Sequence, residues 1–289
     1  MRHTFFRAAL AAALVGFSSL GLADQLEERR ELARDGRLQI INVAGDIEIR
    51  GWDRPQMHLI ADPGRSFKEL KITGDDQALK VEVIVDKGRN NVDETDLVLQ
   101  VPFDITLSVN VVSGDIGINA LRGPLELRSV SGDVAVVAES EQVRINTVSG
   151  DIELSTPSLQ TRLGSVSGDI EASRVLGILD VESVSGSVQV DMQRVELLDA
   201  KTVSGDLGLR VSLATGGRVN AETLSGTVSV QLPKDSNAQV KMRTFSGDVE
   251  PGFGQRSQRD QKDFSYSLGN GNGRLDLSSF SGDIEVNGN

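Results

Sequence analysis

Apolar and polar residues alternate in short runs through most of the chain. Residues 125–128 (Leu-Glu-Leu-Arg) and 240–243 (Val-Lys-Met-Arg), for example, carry an apolar side chain at every second position. A period of two is that of a β-strand with one face buried and the other in solvent. The pattern therefore predicts an all-β protein built from short strands.

A motif of the form Val-Ser-Gly-Asp, followed by Ile or Val, interrupts the alternation at regular intervals. Its serine stands at positions 113, 131, 149, 167 and 185, a constant step of 18 residues, and variants continue at positions 204, 225, 246 and 281. An apolar residue precedes the serine in every copy: Val112, Val130, Val148, Val166, Val184, Val203, Leu224, Phe245 and Phe280. A second apolar column follows the Asp position, and a third lies three residues upstream of the first. Such columns identify an internal repeat.

The glycine of the motif is the candidate structural residue of each repeat. The nine glycines are Gly114, Gly132, Gly150, Gly168, Gly186, Gly205, Gly226, Gly247 and Gly282. Glycine is the residue that best tolerates a backbone corner with positive φ. Each repeat is therefore predicted to contain a strand, a tight corner, a second strand and a return turn.

Two architectures fit such a repeat. Each Ser-Gly pair could be the turn of a hairpin in an antiparallel meander. Alternatively, each repeat is one coil of a parallel β-solenoid, in which equivalent positions stack on one another. The constant step favours the solenoid, because stacked coils penalise any change of length within a strand. We expect right-handed coils of about 18–21 residues.

The chain divides into three predicted parts. Residues 1–23 form a predicted signal peptide. Residues 24–111 form a β-rich region that opens with a degenerate repeat around Gly45 and Asp46. Residues 112–289 form the solenoid of Val-Ser-Gly-Asp repeats. Near its end, residues 264–278 indicate a closing hairpin, which a solenoid needs because its last coil exposes a strand edge.

The first residues have the pattern of a secretory signal peptide. Two arginines precede an apolar run over residues 8–17, and the small residues Gly21 and Ala23 suit a cleavage site after residue 23. No later run approaches the ~18 apolar residues of a transmembrane helix. We therefore expect an exported protein without a membrane span after cleavage. A bacterial periplasm is the expected location, with secretion and the cell surface as alternatives.

Composition excludes several kinds of chemistry. The chain of 289 residues has no cysteine, so disulfides, thiolate metal sites and thiol nucleophiles are excluded. Its formal charge is −12 and its pI is about 4.7. Nucleic acids and anionic membranes need a cationic surface, so neither is an expected partner.

The sequence resembles a known family. Residues 45–53 (Gly-Asp-Ile-Glu-Ile-Arg-Gly-Trp-Asp), residues 97–102 (Leu-Val-Leu-Gln-Val-Pro) and the Val-Ser-Gly-Asp-Ile repeat are similar to those of the DUF4097 family of β-strand-repeat, adhesin-like proteins. The resemblance covers nearly all of the chain after residue 23. It implies an exported, envelope-associated β-solenoid, and it supplies no catalytic residues, since the family has no established activity.

The aspartates of the motif are the candidate metal ligands. Five of them are Asp115, Asp133, Asp151, Asp169 and Asp206, and Asp248 and Asp283 continue the column. Stacked carboxylates of an exported protein can bind Ca²⁺. However, Ser187 and Thr227 occupy the same column and are poor calcium ligands. We therefore expect each aspartate to cap the backbone of its turn, with no metal and no cofactor.

A polar column of Ser and Thr residues precedes the apolar residue of each corner. Its members are Ser129, Thr147, Ser165, Ser183, Thr202, Thr223, Thr244 and Ser279, and we expect them to form a hydrogen-bonded ladder at the bend. The predicted solvent-facing positions further along the strands, such as Glu126 and Arg144, carry charges of both signs.

No constellation of catalytic residues emerges from the sequence. After residue 23 the only histidine is His58, and no nucleophile-elbow motif accompanies it. We therefore predict a non-enzymatic envelope scaffold or adhesin-like protein that binds an envelope protein or a glycan. A carbohydrate-active β-helix enzyme and a calcium-dependent adhesive rod are the alternatives.

Overall fold

The computed structural model describes residues 25–86, 93–258 and 261–288, and these contain strands and turns but no helix. The expected signal peptide lies outside the described residues. The first twelve strands are β1 Leu26–Glu31, β2 Arg37–Ala44, β3 Ile47–Trp52, β4 Gln56–Asp62, β5 Phe67–Gly74, β6 Ala78–Val85, β7 Asp96–Pro102, β8 Thr106–Ser113, β9 Ile116–Asn119, β10 Leu125–Ser131, β11 Val134–Val137 and β12 Gln142–Ser149. The others are β13 Ile152–Ser155, β14 Gln160–Ser167, β15 Ile170–Ser185, β16 Val188–Ser204, β17 Leu207–Ser225, β18 Val228–Leu232, β19 Ala238–Ser246, β20 Val249–Glu250, β21 Asp263–Leu268, β22 Gly273–Ser281 and β23 Ile284–Gly288. The all-β prediction is confirmed.

Equivalent strands of successive repeats pair in parallel, so the solenoid prediction is confirmed and the antiparallel meander is wrong. The strands that precede the Ser-Gly corner form one face, in which Leu125 of β10 lies between Leu107 of β8 and Val143 of β12. The strands that follow the corner form the second face, in which Val134 of β11 lies between Ile116 and Ile152. The handedness of the coils stays a prediction.

The inward side chains of both faces form one aliphatic core. Leu127, Ile145 and Leu163, one residue per coil at the same position, are each at most 1% exposed. Valine, leucine and isoleucine dominate the core along its whole length. Because each coil is too thin to bury its own apolar face, the stack becomes stable only when neighbouring coils cover one another.

The coils at the N-terminal end do not follow the order of the sequence. The degenerate repeat, β2 and β3, pairs with β8 and β9 of the first full repeat. On its other side it pairs in parallel with β6 and β7, which come later in the chain and form the coil outside it. Antiparallel strands complete this end, with β4 on β7, β1 on β4 and β5 on β6. The division predicted at residues 111 and 112 stays a prediction.

The C-terminal end has the same inverted order. Strands β22 and β23 pair with β17 and β18 on one side and with β19 and β20 on the other. The last repeat of the sequence is therefore inserted beneath the repeat that precedes it. The expected closing hairpin within residues 264–278 is wrong, because β21 pairs antiparallel with β19 and not with β22. The reason is that β22 carries a full corner motif and pairs on both sides within the stack, where Leu275 and Leu277 are buried.

Candidate interaction surface

The corner glycines lie in a left-handed region of the backbone that other residues rarely adopt. The nine have φ between +132° and +156°. Except for Gly247 in the outermost coil, the N–H of each corner glycine bonds to the serine carbonyl of an adjacent coil, as Gly132 does to Ser149 at 3.1 Å. A Cβ on Gly150 would lie 2.1 Å from the carbonyl oxygen of Gly132. Both the torsion angle and the close backbone stacking therefore require glycine.

The aspartate column connects the coils to one another. Except for Asp248 in the outermost coil, one carboxylate oxygen of each aspartate accepts a hydrogen bond from the backbone N–H at the equivalent position of an adjacent coil. The distance is 2.8 Å from Asp133 to Asp115 and 2.7 Å from Ser187 to Asp169. This is capping, but of the neighbouring turn rather than of the residue's own turn. The described residues contain no group of three or more His, Cys, Asp or Glu arranged to hold a metal ion.

The apolar residue before each serine faces solvent. These nine side chains, from Val112 to Leu224 together with Phe280 and Phe245, are between 44% and 73% exposed. We call them the apolar stripe. Because stacked coils are about 4.8 Å apart, the stripe runs for roughly 40 Å along one side of the solenoid. Monomeric proteins rarely expose so long a continuous apolar surface unless it has a partner.

The separation of the apolar columns in the sequence already indicates that the stripe residues face solvent. Successive side chains of a strand point to opposite faces, so two apolar columns three residues apart in the same strand cannot both face the core. Leu127 is buried, and Val130, three residues later, is exposed. An odd separation between apolar columns is thus a sign of an external apolar row.

The residue between those columns is polar and faces inward. The Ser and Thr column is 3–6% exposed. Thr147 Oγ1 lies 3.1 Å from the Gly150 carbonyl oxygen, to which it donates, and 3.2 Å from Ser165 Oγ, from which it then accepts. The hydroxyls of Ser129, Ser183 and Thr202 are buried without a partner among the described residues. The expected ladder of hydrogen bonds is therefore interrupted at these three residues.

A groove runs along the apolar stripe in the C-terminal half of the solenoid. Its volume is about 1150 Å³. The stripe forms one side of the groove, and the outward residues two positions earlier in each strand form the other. Those outward residues include Glu182, Lys201, Glu222 and Arg243, so the second side carries charges of both signs. Next to it, the Asp199 carboxylate lies 2.7 Å from Lys201 Nζ and raises the pKa of that amine.

Two phenylalanines end the stripe at the C-terminal side. The rings of Phe280 and Phe245 stack with centroids 4.9 Å apart and planes 6° apart. They come from β19 and β22, which pair in parallel, and the inverted coil order places Phe245 on the outer side. Phe245 is 73% exposed, so the stack presents a broad aromatic surface where the groove ends.

The single candidate histidine holds strands together. His58 Nε2 lies 2.8 Å from Glu27 Oε1, and Nδ1 lies 3.3 Å from Gln100 Oε1. The hydrogen bond with His58 is the main reason that the pKa of the Glu27 carboxyl is lowered. Trp52 stacks on the imidazole at 6.1 Å. The ring nitrogens thus contact a carboxylate and an amide, which tie β1 and β7 to β4, and neither contacts a hydroxyl nucleophile.

The fold and the surface define a class: a non-globular β-solenoid whose most distinctive feature is an exposed apolar stripe. Residues 35–176 and 175–287 both match the model of the Toastrack DUF4097 family, and together they cover nearly all of the described chain. The protein therefore belongs to the DUF4097 family. No protein among those of curated function matches it. No helix of the described residues is long and apolar enough to cross a membrane.

Several solved structures are similar to this chain. One is described as a "putative adhesin" from Bacteroides fragilis NCTC 9343, at 11% identity and a TM-score of 0.42 over 91% of this chain and 97% of that one. Another "putative adhesin", from Parabacteroides distasonis ATCC 8503, has the same four values. A "putative lipid binding protein" from Parabacteroides distasonis ATCC 8503 is 12% identical, with a TM-score of 0.43 over 92% of this chain and 97% of that one. Family membership rests on the family model, not on these likenesses.

Proposed function

We propose that the protein is an exported, non-enzymatic scaffold of the cell envelope, located in the periplasm, that binds a segment of another protein along its apolar stripe. The observation that carries the proposal is the exposure of nine stacked apolar side chains along one side of the solenoid. Exposed apolar surfaces of this extent are typical of interaction sites. The signal-peptide pattern of residues 1–23 supports the location.

The chemistry of the stripe favours a polypeptide over a glycan. Sugars are held by hydrogen bonds from polar side chains together with aromatic stacking, and most of the stripe is aliphatic. Glu182, Lys201, Glu222 and Arg243 alternate in sign along the groove. A protein segment with an apolar face and flanking charges of both signs complements such a groove, whereas a uniformly anionic polysaccharide does not.

The solenoid also holds the stripe in a preformed state. Backbone bonds between coils and the aspartate caps fix the position of each stripe residue relative to the next. This protein therefore loses little conformational entropy when a partner binds. Valine has a single rotatable side-chain torsion that β-strands restrict further, which reduces that cost again.

Site-specific photo-cross-linking tests the proposal. A benzophenone amino acid replaces Leu224 in the stripe or, as a matched control, Val137 on the second face; the two native side chains are 51% and 50% exposed. On irradiation of intact cells we expect a discrete protein adduct from position 224 and none from position 137. The double substitution Phe245→Ser and Phe280→Ser removes the aromatic end of the stripe and should reduce that adduct at least about tenfold.

Three results would overturn the proposal. They are the absence of a discrete adduct at position 224, the same adduct from both positions, and an adduct whose added mass is that of a glycan or lipid rather than a protein.

A further inference from the structure

The stack has four free strand edges among the described residues. At the N-terminal end, β1 pairs only with β4 and β5 pairs only with β6. At the C-terminal end, β20 pairs only with β23 and β21 pairs only with β19. A free edge presents unpaired backbone N–H and C=O groups and is a template for another strand.

Three of these edges carry features that prevent strand addition. Strand β1 contains five consecutive charged residues, 27–31, and β5 contains Lys68, Glu69 and Lys71. Strand β20 has two residues and is followed directly by Pro251. Charges, very short strands and proline are the usual means by which proteins protect their edges.

Strand β21 lacks all three protections. Its sequence is Asp-Phe-Ser-Tyr-Ser-Leu over residues 263–268, with one charge at its first position. Thr244 N–H of β19 donates to the carbonyl of Lys262. The backbone N–H and C=O groups of the even-numbered residues of this segment therefore point towards β19. Ser265 and Ser267 therefore direct their backbone groups to the free side, where no strand of the described residues pairs with them.

We propose that β21 pairs with β21 of a second copy of this chain, so that two solenoids join end to end through their C-terminal caps. In an antiparallel pairing about a two-fold axis at Ser265, the outward groups of the two copies meet as hydrogen-bonded pairs. Asp263 then lies opposite Ser267 of the second copy, and no like charges face each other. The edge is thus complementary to itself.

The apolar face of β21 supports the same register. Phe264 and Tyr266 are half-buried, and both lie on the face that packs against the core. About the same axis, Phe264 of one copy lies opposite Tyr266 of the other, and the two possible pairs are equivalent. Aromatic cross-strand pairs are among the stabilising pairs in antiparallel sheets.

Local charge does not oppose this approach, although the whole chain is acidic. The cations Lys241 and Arg243 lie on β19, directly beside β21. Lys262 lies 4.0 Å from Asp248 at the same end. Charges of both signs therefore surround the edge, although the full chain has a net charge of −12.

Two lysine substitutions test the edge and its register. We expect the full chain to double its mass with rising concentration in light scattering and sedimentation. Ser265→Lys places two like charges opposite each other at the axis, whereas Ser267→Lys places a lysine opposite Asp263 of the second copy. The dimerisation midpoint of Ser265→Lys should therefore lie at a concentration at least about tenfold higher than that of Ser267→Lys. Both exposed serines tolerate substitution, and equal thermal unfolding confirms that both variants are folded.

Cysteine cross-linking tests the same contact independently, because the native chain has no cysteine. With a short bismaleimide, Ser265→Cys should give a covalent dimer, and Glu28→Cys on the charged edge β1 should not. A monomer at all concentrations, equal midpoints for the two lysine variants, or equal cross-linking at both ends would overturn the proposal. So would loss of the dimer in Leu224→Ser, which would place the contact on the apolar stripe. The photo-cross-linking at position 224 concerns a different surface, so either proposal can fail without the other.

Discussion

The buried hydroxyl groups of this solenoid differ in hydrogen bonding, and so in their effect on stability, from one coil to the next. Thr147 and Thr202 occupy the same column, and both are at most 6% exposed. Thr147 has two hydrogen-bond partners, and Thr202 has none among the described residues. A buried polar group without a partner destabilises the fold, because it has lost its hydrogen bonds to water.

Replacing each of these threonines by valine should therefore affect the free energy of unfolding differently. Thr147→Val should lower the free energy of unfolding by about 1 kcal/mol, because it removes the donor to Gly150 and the contact with Ser165. Thr202→Val has nearly the same shape and loses no bond, so it should be neutral or stabilising. Urea unfolding of the two variants measures the difference; equal losses would show that Thr202 has a partner, such as a bound water.

The corner glycines should be the most sensitive single positions. Gly150→Val should lower the free energy of unfolding by about 3 kcal/mol or more, because the new Cβ overlaps the carbonyl of Gly132 and the valine is forced to positive φ. Gly216 is the control, since it has φ +76° and no atom within 4 Å of a Cβ. Gly216→Val measures the torsional cost alone and should destabilise clearly less. Similar losses at both sites would contradict the role of close backbone stacking.

At the scale of the element, the edge strand β21 covers this end of the core in part through the ring of Tyr266, which packs against it. The hydroxyl of Tyr266 donates to the carbonyl of Pro251 in the loop that follows β20. Burial raises the pKa of Tyr266 to about 12, from its ordinary value of 10.0. Deprotonation of this hydroxyl removes the hydrogen bond and places a charge in a half-buried site.

The raised pKa predicts a loss of stability at alkaline pH. A group whose pKa is higher in the folded than in the unfolded chain stabilises the fold fully below its unfolded pKa. The contribution of Tyr266 is thus present up to about pH 10 and is lost as the pH rises to about 12. Tyr266→Phe should be less stable than the native protein at neutral pH, and the difference should shrink across this interval.

The tyrosine titration itself can be observed directly, because Tyr266 is the only tyrosine of the chain. Phenolate absorbance should have its midpoint near pH 12 in the folded protein and near 10 in urea. A midpoint near 10 in the folded protein would show that the hydroxyl is in water and that β21 does not close the core.

Most strands could be predicted from the sequence, because their alternation is a local property. The runs at 125–128 and 240–243 lie in β10 and β19, with the expected residues buried. The direction of the apolar stripe is local too, since the separation of Leu127 and Val130 by three residues sets them on opposite faces. The partner of β21 is not local. Nothing in residues 263–268 indicates that they pair with β19 rather than with another strand.

At the scale of the whole molecule, both ends are built by inserting a terminal repeat beneath an internal one. The coil of β22 and β23 lies between those of β17–β18 and β19–β20. Apart from β21, the strand β19 therefore connects to the stack only through β22. The final repeat holds the preceding repeat in place, although it follows it in the chain.

Deleting residues 273–289 should therefore remove more structure than those residues contain. Without β22 the strands β19 to β21 lose their connection to the stack, so their backbone amides should exchange with deuterium as fast as those of an unfolded segment. Deleting residues 233–289, which removes β19 to β23 together, is the control and should give a melting temperature close to that of the shorter deletion. Retained protection of β19 in the shorter deletion would contradict this prediction and would show that the β19–β20 coil stacks directly on β17–β18 when the inserted coil is absent.

The sequence by itself determined the all-β class and the positions of the nine corners, and it favoured the parallel stacking of equivalent positions. Those features follow from alternation, from the glycines and from the constant step of 18 residues, all of which act over short distances in the chain. Only the tertiary structure decided the order of the coils at each end and the pairing of the free strands. All repeats present nearly the same surface to a neighbour, so the choice between Leu224 stacking next to Phe245 or next to Phe280 depends on loop closure and on how each end is covered. Because Phe280 lies between Leu224 and Phe245, the ring of Phe245, which is the more exposed of the two, stands at the outer end of the apolar stripe.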